Sequence, residues 1–322
     1  PGLRPGREAF AAIIHFSRNL FGSKLLIYLT GQVDNAAVGT LGETRLGWYA
    51  FGENQSATVV VGVGATVAQI ALPALAAARD HLPDLRQIYL NMLRLTATIS
   101  TPMQVGGIVI AELAVVLFFG EQWRGSVTVF QAYLTFRLLD TLVRVADATV
   151  SAVGRTEVRF RVDLIQLPFF LVGVYLGVVV FESILSVAWT LTLVRTTAAA
   201  IYFTQTLRLT DLKPGVLWRY LLPSTLASAL MGLSVWGLYA SGWLFERLAF
   251  INGGFWQQMV LFVLLVAVGG LLYFSLLILL DRRGFTEVFL MAWEIVLPEG
   301  PRRQIDARWR RLRNQVPWLR WF

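Results

Sequence analysis

Cysteine is absent from this 322-residue chain, which excludes disulfides, thiol nucleophiles and thiolate metal ligands. Histidine is almost absent. His15 and His81 lie far apart, leaving no zinc or haem spacing and no plausible Ser/His/Asp triad. A phosphate-binding glycine loop with lysine is missing, and with it nucleotide hydrolysis by that route. Neither a metal nor a cofactor is expected. Charge is scarce too: charged residues make up 15% of the chain against 56% hydrophobic ones. A soluble domain carries about 25% charged residues. A chain of this composition cannot cover its own surface with polar groups, so lipid covers part of it.

What the sequence does have is long hydrophobic runs. Crossing a hydrocarbon core of about 30 Å takes roughly 20 apolar residues in a helix. Phe255 to Leu280 meets that requirement outright, and Leu164–Phe181 and Ile184–Thr204 nearly do. These runs are continuous, unlike the alternating segments of about ten residues that build a membrane β-barrel. The expected fold class is therefore all-α: a polytopic membrane helix bundle of about eight transmembrane helices. The spans fall near 11–38, 46–75, 88–118, 127–152, 162–181, 183–206, 217–240 and 256–281. Pro73, Pro102, Pro168, Pro223, Gly62, Gly64, Gly106 and Gly107 lie in or near spans, as bending points or as sites of close helix packing.

The net charge of +8 is almost all arginine. In a soluble protein it would point to nucleic acid. Here its distribution suggests topology, and no nucleic-acid partner is expected. Alternate connecting segments are basic: Arg4 and Arg7; Arg79 and Arg86; Arg155, Arg159 and Arg161; Arg208, Lys213 and Arg219; then Arg282, Arg283 and the tail. The intervening ones hold Arg45, Arg124 and Arg247 beside Glu43, Glu121, Glu182 and Glu246. That alternation fits an even number of spans with both ends cytoplasmic. In the tail, Ile305, Trp309, Leu312, Val316 and Leu319 repeat at helical spacing opposite Arg308, Arg310, Arg311 and Arg313, as in a basic amphipathic helix lying on an anionic leaflet. A partner-binding helix is the alternative. The chain opens on Pro1 without a signal peptide and is expected to begin inside a longer gene product.

Charges inside the membrane mark the candidate site. Arg137, Asp140, Arg144 and Asp147 are spaced three, four and three residues apart in the fourth span. At about 100° per residue they share one face, which Tyr133 and Ser151 extend. A mid-membrane charge costs at least about 2.5 kcal/mol, so this face must meet protein or water. Two readings stand. Arg137 pairs with Asp140 and Arg144 with Asp147 to hold the bundle, or the stripe lines a hydrated cavity for a polar or anionic substrate. The first span repeats the theme with Ser17, Lys24, Tyr28, Gln32 and Asn35 on one face and Asp34 on another. Glu53, Asn54 and Gln55 open the second span, and Glu112 lies in the outer part of the third.

Specific residues carry a resemblance. Asp34 is followed by Gly39, Gly42, Leu46, Gly47, Tyr49 and Ala50; then come Leu72-Pro73-Ala74, Arg94, Pro102, the turn Phe119-Gly120-Glu121-Gln122-Trp123, and Gly154-Arg155. Over roughly residues 17–180 the chain resembles the polysaccharide-biosynthesis flippases of the multidrug/oligosaccharidyl-lipid/polysaccharide exporter superfamily. The resemblance implies the second six-helix lobe of a two-lobe transporter over 1–206, two additional transmembrane helices over 207–281 and a cytoplasmic basic amphipathic tail over 282–322. The first lobe would precede Pro1, and this portion alone would not transport. The implied protein sits in a bacterial inner membrane and flips polyprenyl-diphosphate-linked oligosaccharide for surface polysaccharide such as lipopolysaccharide or exopolysaccharide. It is a transporter and not an enzyme. Its partners are that lipid-linked oligosaccharide, membrane lipid and a coupling proton or sodium ion.

On the helix faces, Lys24, Arg137 and Arg144 are expected at the anionic head group, because guanidinium and ammonium groups give charge-assisted hydrogen bonds to phosphate. Gln32, Asn35 and Tyr133 are expected near sugar hydroxyls, and Tyr28 is a further substrate-binding candidate. Asp34, Asp140 and Asp147 are candidates for ion coupling or for orienting those cations. Rival readings are a multidrug or cation exporter of the same superfamily, a membrane glycan polymerase or glycosyltransferase, and a scaffolding protein. Basic residues count against the first, and short outer loops against the second.

Overall fold

A computed structural model describes residues 7–242, 254–282 and 284–288. They form α-helices joined by short turns: α1 (Arg7–Gly39), α2 (Glu43–Ala77), α3 (Leu82–Val109), α4 (Ala111–Phe119), α5 (Val127–Ala152), α6 (Thr156–Tyr175), α7 (Ile184–Thr210), α8 (Pro214–Ala240) and α9 (Gly254–Leu280). No strand occurs among the described residues. The tail beyond residue 288, and with it the expected amphipathic helix, lies outside the described residues.

The helix ends follow local chemistry. α3 and α8 each begin with a proline in the first turn, where its missing N–H costs nothing. α7 closes on Asp211 in the left-handed conformation, at φ 47°. The single span expected over 88–118 is instead two helices, α3 and α4, bent by 75° at Ile110. Gly106 and Gly107 stand just upstream, where a glycine pair lets the ladder break. α6 runs on into a π-turn over Leu176–Val180, completing the expected fifth span.

Four described helices are long and apolar enough to cross a membrane: α6 with its π-turn, α7, α8 and α9. Counting the bent α2 and the α3/α4 pair as single spans makes six. α1 and α5 fall outside this apolar set, and they are the helices that carry the polar stripes. A count of eight rests on including them.

α1 packs on α6, α6 on α7, α7 on α5, α5 on α2, and α2 back on α1, so five helices close a ring. α3 lies behind the ring against α2 and α5. α8 packs on α3, and α9 on α8 and α4. Connections alternate between the two ends. At one end Arg45 donates to the Glu182 carbonyl (3.1 Å) and Trp48 to the Gln122 carbonyl (2.9 Å). At the other, Arg86 donates to the Thr210 carbonyl (2.5 Å) and the Asp211 carboxylate (2.7 Å). Gly125 lies so close to the Trp48 ring that a Cβ would stand 2.5 Å from it, which explains why the turn between α4 and α5 needs a glycine there.

Candidate functional site

The ring of five helices encloses a cavity of about 660 Å³. α5 supplies one wall with Tyr133, Phe136, Arg137, Asp140, Val143, Arg144 and Asp147, the stripe expected from the 3–4–3 spacing. α1 supplies Lys24, Tyr28, Gly31 and Asp34; α2 supplies Glu53; α6 supplies Arg159, Asp163, Gln166 and Phe170; α7 supplies Leu191, Arg195 and Tyr202. Of the residues singled out from sequence, Gln32 is not on the lining and Asn35 instead donates to the Gly31 carbonyl (2.8 Å). Glu112 is taken up by Arg124 in the turn between α4 and α5 (2.7 Å).

The ion pairs differ from those expected. Arg144 Nη2 reaches Asp140 at 2.9 Å, and Asp147 pairs across the α5–α6 turn with Arg159 at 3.0 Å. Helical side chains lean toward the N-terminus, so Arg144 meets the residue four before it and Arg137 leans away from Asp140. Arg137 turns toward α2 instead. Its Nε donates to Ser56 Oγ (3.0 Å) and its Nη2 to the Glu53 carbonyl (3.3 Å). Only 8% of Arg137 is exposed.

Asp34 was expected on a different face from Lys24, yet it lines the same cavity and is buried. Tyr49 Oη donates to its Oδ2 (3.1 Å), and Tyr133 Oη donates to Tyr49 Oη (2.7 Å). Three helices, α5, α2 and α1, thus meet through one hydrogen-bond chain. Several polar atoms keep unused capacity among the described residues: Asp147 Oδ1, Asp163 Oδ2, Arg144 Nε and Ser23 Oγ.

Arg159 and Glu53 were placed differently from sequence, and Asp163 and Arg195 were missed. Arg159 was placed in a cytoplasmic loop, but α6 begins at Thr156, so it lies within the helix and faces the cavity. Glu53 sits ten residues inside α2 rather than at its start. Arg195, halfway along apolar α7, was overlooked although a mid-span charge is itself a signal.

Comparison with known proteins agrees with this architecture. The family model described as polysaccharide biosynthesis protein matches residues 1–128. The chain is 24% identical over 168 residues to the teichuronic acid biosynthesis protein TuaB of Bacillus subtilis (strain 168), covering 52% of this chain and 35% of that one. It is 22% identical over 178 residues to the lipopolysaccharide biosynthesis protein WzxC of Escherichia coli (strain K12), covering 55% and 36%. The matches thus span about a third of the curated relatives' length. Among solved structures the chain superposes on the lipid II flippase MurJ in an inward closed conformation, with TM-score 0.67, 13% identity, and coverage of 85% of this chain and 55% of that one. An outward-facing multidrug resistance MATE family transporter of the MOP superfamily gives TM-score 0.51 at 14% identity, covering 88% and 69%.

The fold is therefore similar to that of these two solved transporters. Over residues 1–128 the sequence is similar to the polysaccharide biosynthesis proteins, a stretch that includes the motifs from Asp34 to Trp123. The structural likeness also reaches past those motifs, since 85% of the chain is a larger share than residues 1–206 make up.

Proposed function

We propose that the protein acts in translocating a polyprenyl-diphosphate-linked oligosaccharide across a bacterial inner membrane for surface polysaccharide export, and that it does so as a transporter, not an enzyme. One observation carries the reading: a charged cavity of about 660 Å³ ringed by helices in an otherwise apolar bundle. Such a substrate has an anionic diphosphate, a hydroxyl-rich glycan and a long lipid tail. A polar path for the head group beside an apolar exterior for the tail fits all three. Cavity cations offer the diphosphate charge-assisted hydrogen bonds, and Tyr28 and Tyr133 offer sugar hydroxyls partners. Asp34, Asp140 and Asp147 remain the candidates for proton or sodium coupling. The likeness to polysaccharide-biosynthesis relatives and to a lipid II flippase supports this choice among transporters.

In the same reading, residues 1–206 form one six-helix lobe that rocks against another, and 207–281 add two helices. The end that carries Arg86, Arg155 and Lys213 faces the cytoplasm. The test is loss of function in the source cell. Deleting the gene should abolish surface polysaccharide while lipid-linked oligosaccharide accumulates on the inner leaflet. Surface polysaccharide at wild-type level, without accumulation, would sink the proposal. The lining carboxylates Glu53 and Asp163, which form no ion pair among the described residues, favour one second reading, export of a lipophilic cation. A drug-sensitivity phenotype with normal polysaccharide would mark that alternative.

A further inference from the structure

The cavity lining carries five cations, Lys24, Arg137, Arg144, Arg159 and Arg195, and five carboxylates, Asp34, Glu53, Asp140, Asp147 and Asp163. Net charge therefore does not decide what the cavity holds. What decides it is which charges are already committed. Arg144 is bound to Asp140, Arg159 to Asp147, and Arg137 to Ser56 and the Glu53 backbone. Lys24 and Arg195 make no hydrogen bond or ion pair among the described residues.

Arg195 is the sharper case. It lies midway along α7, whose other charged residue, Arg208, stands in the last turn. It is half-buried and lies near enough to Asp34 and Asp163 to act on both electrostatically, yet it pairs with neither. A cation at that depth is costly and persists when a partner or water compensates it. Lys24 faces the same cavity from α1 and is exposed to it.

Resting on the diphosphate reading above, we infer that Arg195 and Lys24 are the residues that select the anionic group, while Arg137, Arg144 and Arg159 hold the walls. This reverses the sequence-based expectation for Arg137 and Arg144. Two uncommitted cations on α7 and α1 clasp a diphosphate from different walls without breaking any existing pair.

The test uses the protein in lipid nanodiscs and calorimetric titration with geranylgeranyl diphosphate, with geranylgeraniol as the uncharged control and tetraphenylphosphonium as the cationic one. Wild type should bind the diphosphate and not the alcohol. Arg195→Gln and Lys24→Gln should each weaken binding about tenfold or more, the loss of a charge-assisted contact. Arg195→Lys should recover part of it, keeping charge but not the planar fork. Arg195→Gln should also leave the melting temperature unchanged or raised, whereas Arg137→Gln should lower it. Undiminished diphosphate binding by Arg195→Gln would overturn this assignment and leave the flippase reading standing. A melting loss in Arg195→Gln as large as in Arg137→Gln would overturn it too, by making Arg195 structural. Wild type that ignores the diphosphate, or binds tetraphenylphosphonium in its place, would defeat the underlying reading itself.

Discussion

Neutralising either member of the Asp147–Arg159 pair should destabilise the bundle, and the two losses should not add. The pair is 3.0 Å long with side chains 23% and 24% exposed, neither at the surface nor sealed. A surface pair contributes about 0–1 kcal/mol, and breaking a fully buried one costs about 3–5 kcal/mol. An intermediate cost of about 2 kcal/mol follows for Arg159→Gln, a melting decrease of roughly 4–8 °C. Asp147→Asn should cost less. Without Arg159, Asp147 would have neither oxygen bound and only Arg144 to offset the repulsion of Asp163 and Asp140, whereas without the Asp147 charge, Arg159 still has Asp163 nearby. The double variant should then be less destabilised than the sum, by about 1–2 kcal/mol. The assay is thermal unfolding of the four proteins in nanodiscs, followed by circular dichroism at low and high salt. Salt should change the coupling little, since a pair inside the bundle is screened less than an exposed one. Additive losses, within about 0.3 kcal/mol, would refute the idea that this pair pins α6 to α5.

Three more expectations can be checked by the same melts. Tyr49→Phe keeps the ring but strips Asp34 Oδ2 of its donor, leaving Oδ1 its bond from the Asn35 N–H, and strips Tyr133 of its acceptor, and should cost about 1–3 kcal/mol; an unchanged melt would mean that water replaces both. Gly173→Ala would place a Cβ 1.7 Å from Thr190 Cγ2, so it should cost about 1–3 kcal/mol and be rescued by Thr190→Ala, and a failure of rescue would mean that the α6–α7 contact is not the cause. Arg94→Gln breaks bonds to Asp281 (3.3 Å) and Glu287 (2.6 Å) and the stacking on Tyr220 (4.4 Å), so amide exchange over 281–288 should speed up; unchanged exchange there would show that Arg94 does not hold this segment to α3.

Sequence and structure agree where composition leaves few choices. Apolar runs such as Gly254–Leu280 were legible because nothing else holds 27 residues of that kind. The α5 stripe was legible because four charges on one helix face can be read from spacing alone. The partners of those charges were not, because they depend on other helices. Arg137 finds Ser56 and Asp147 finds Arg159 only once α2 and α6 are in place. The misplacement of Arg159 had a simple origin: charge was taken to mark a loop, but a helix can carry a charged first turn into the bundle when a cavity receives it. Arg195 was missed for the opposite reason. A single charge in an apolar run was averaged away, although a lone cation there asks for an explanation.

The charged ring must be held by something other than the hydrophobic effect, since surrounding lipid is as apolar as a leucine side chain. The helices behind the ring supply hydrogen bonds instead. Gln104 Nε2 of α3 donates to the Arg137 carbonyl (2.9 Å), directly behind the most buried cation of the cavity. One turn away, Thr101 meets Ser228 of α8 (2.9 Å), and Tyr273 of α9 donates to the Thr98 carbonyl (2.7 Å). These contacts form a seam of small polar residues running from α5 through α3 to α8 and α9. Small side chains let the backbones approach, as Gly232 shows against Val105, where a Cβ would stand 2.5 Å away. α8 and α9 therefore brace α3, and α3 braces the charged wall. A helix bearing two arginines and two aspartates needs such a brace on its far side, because its near side is committed to the cavity.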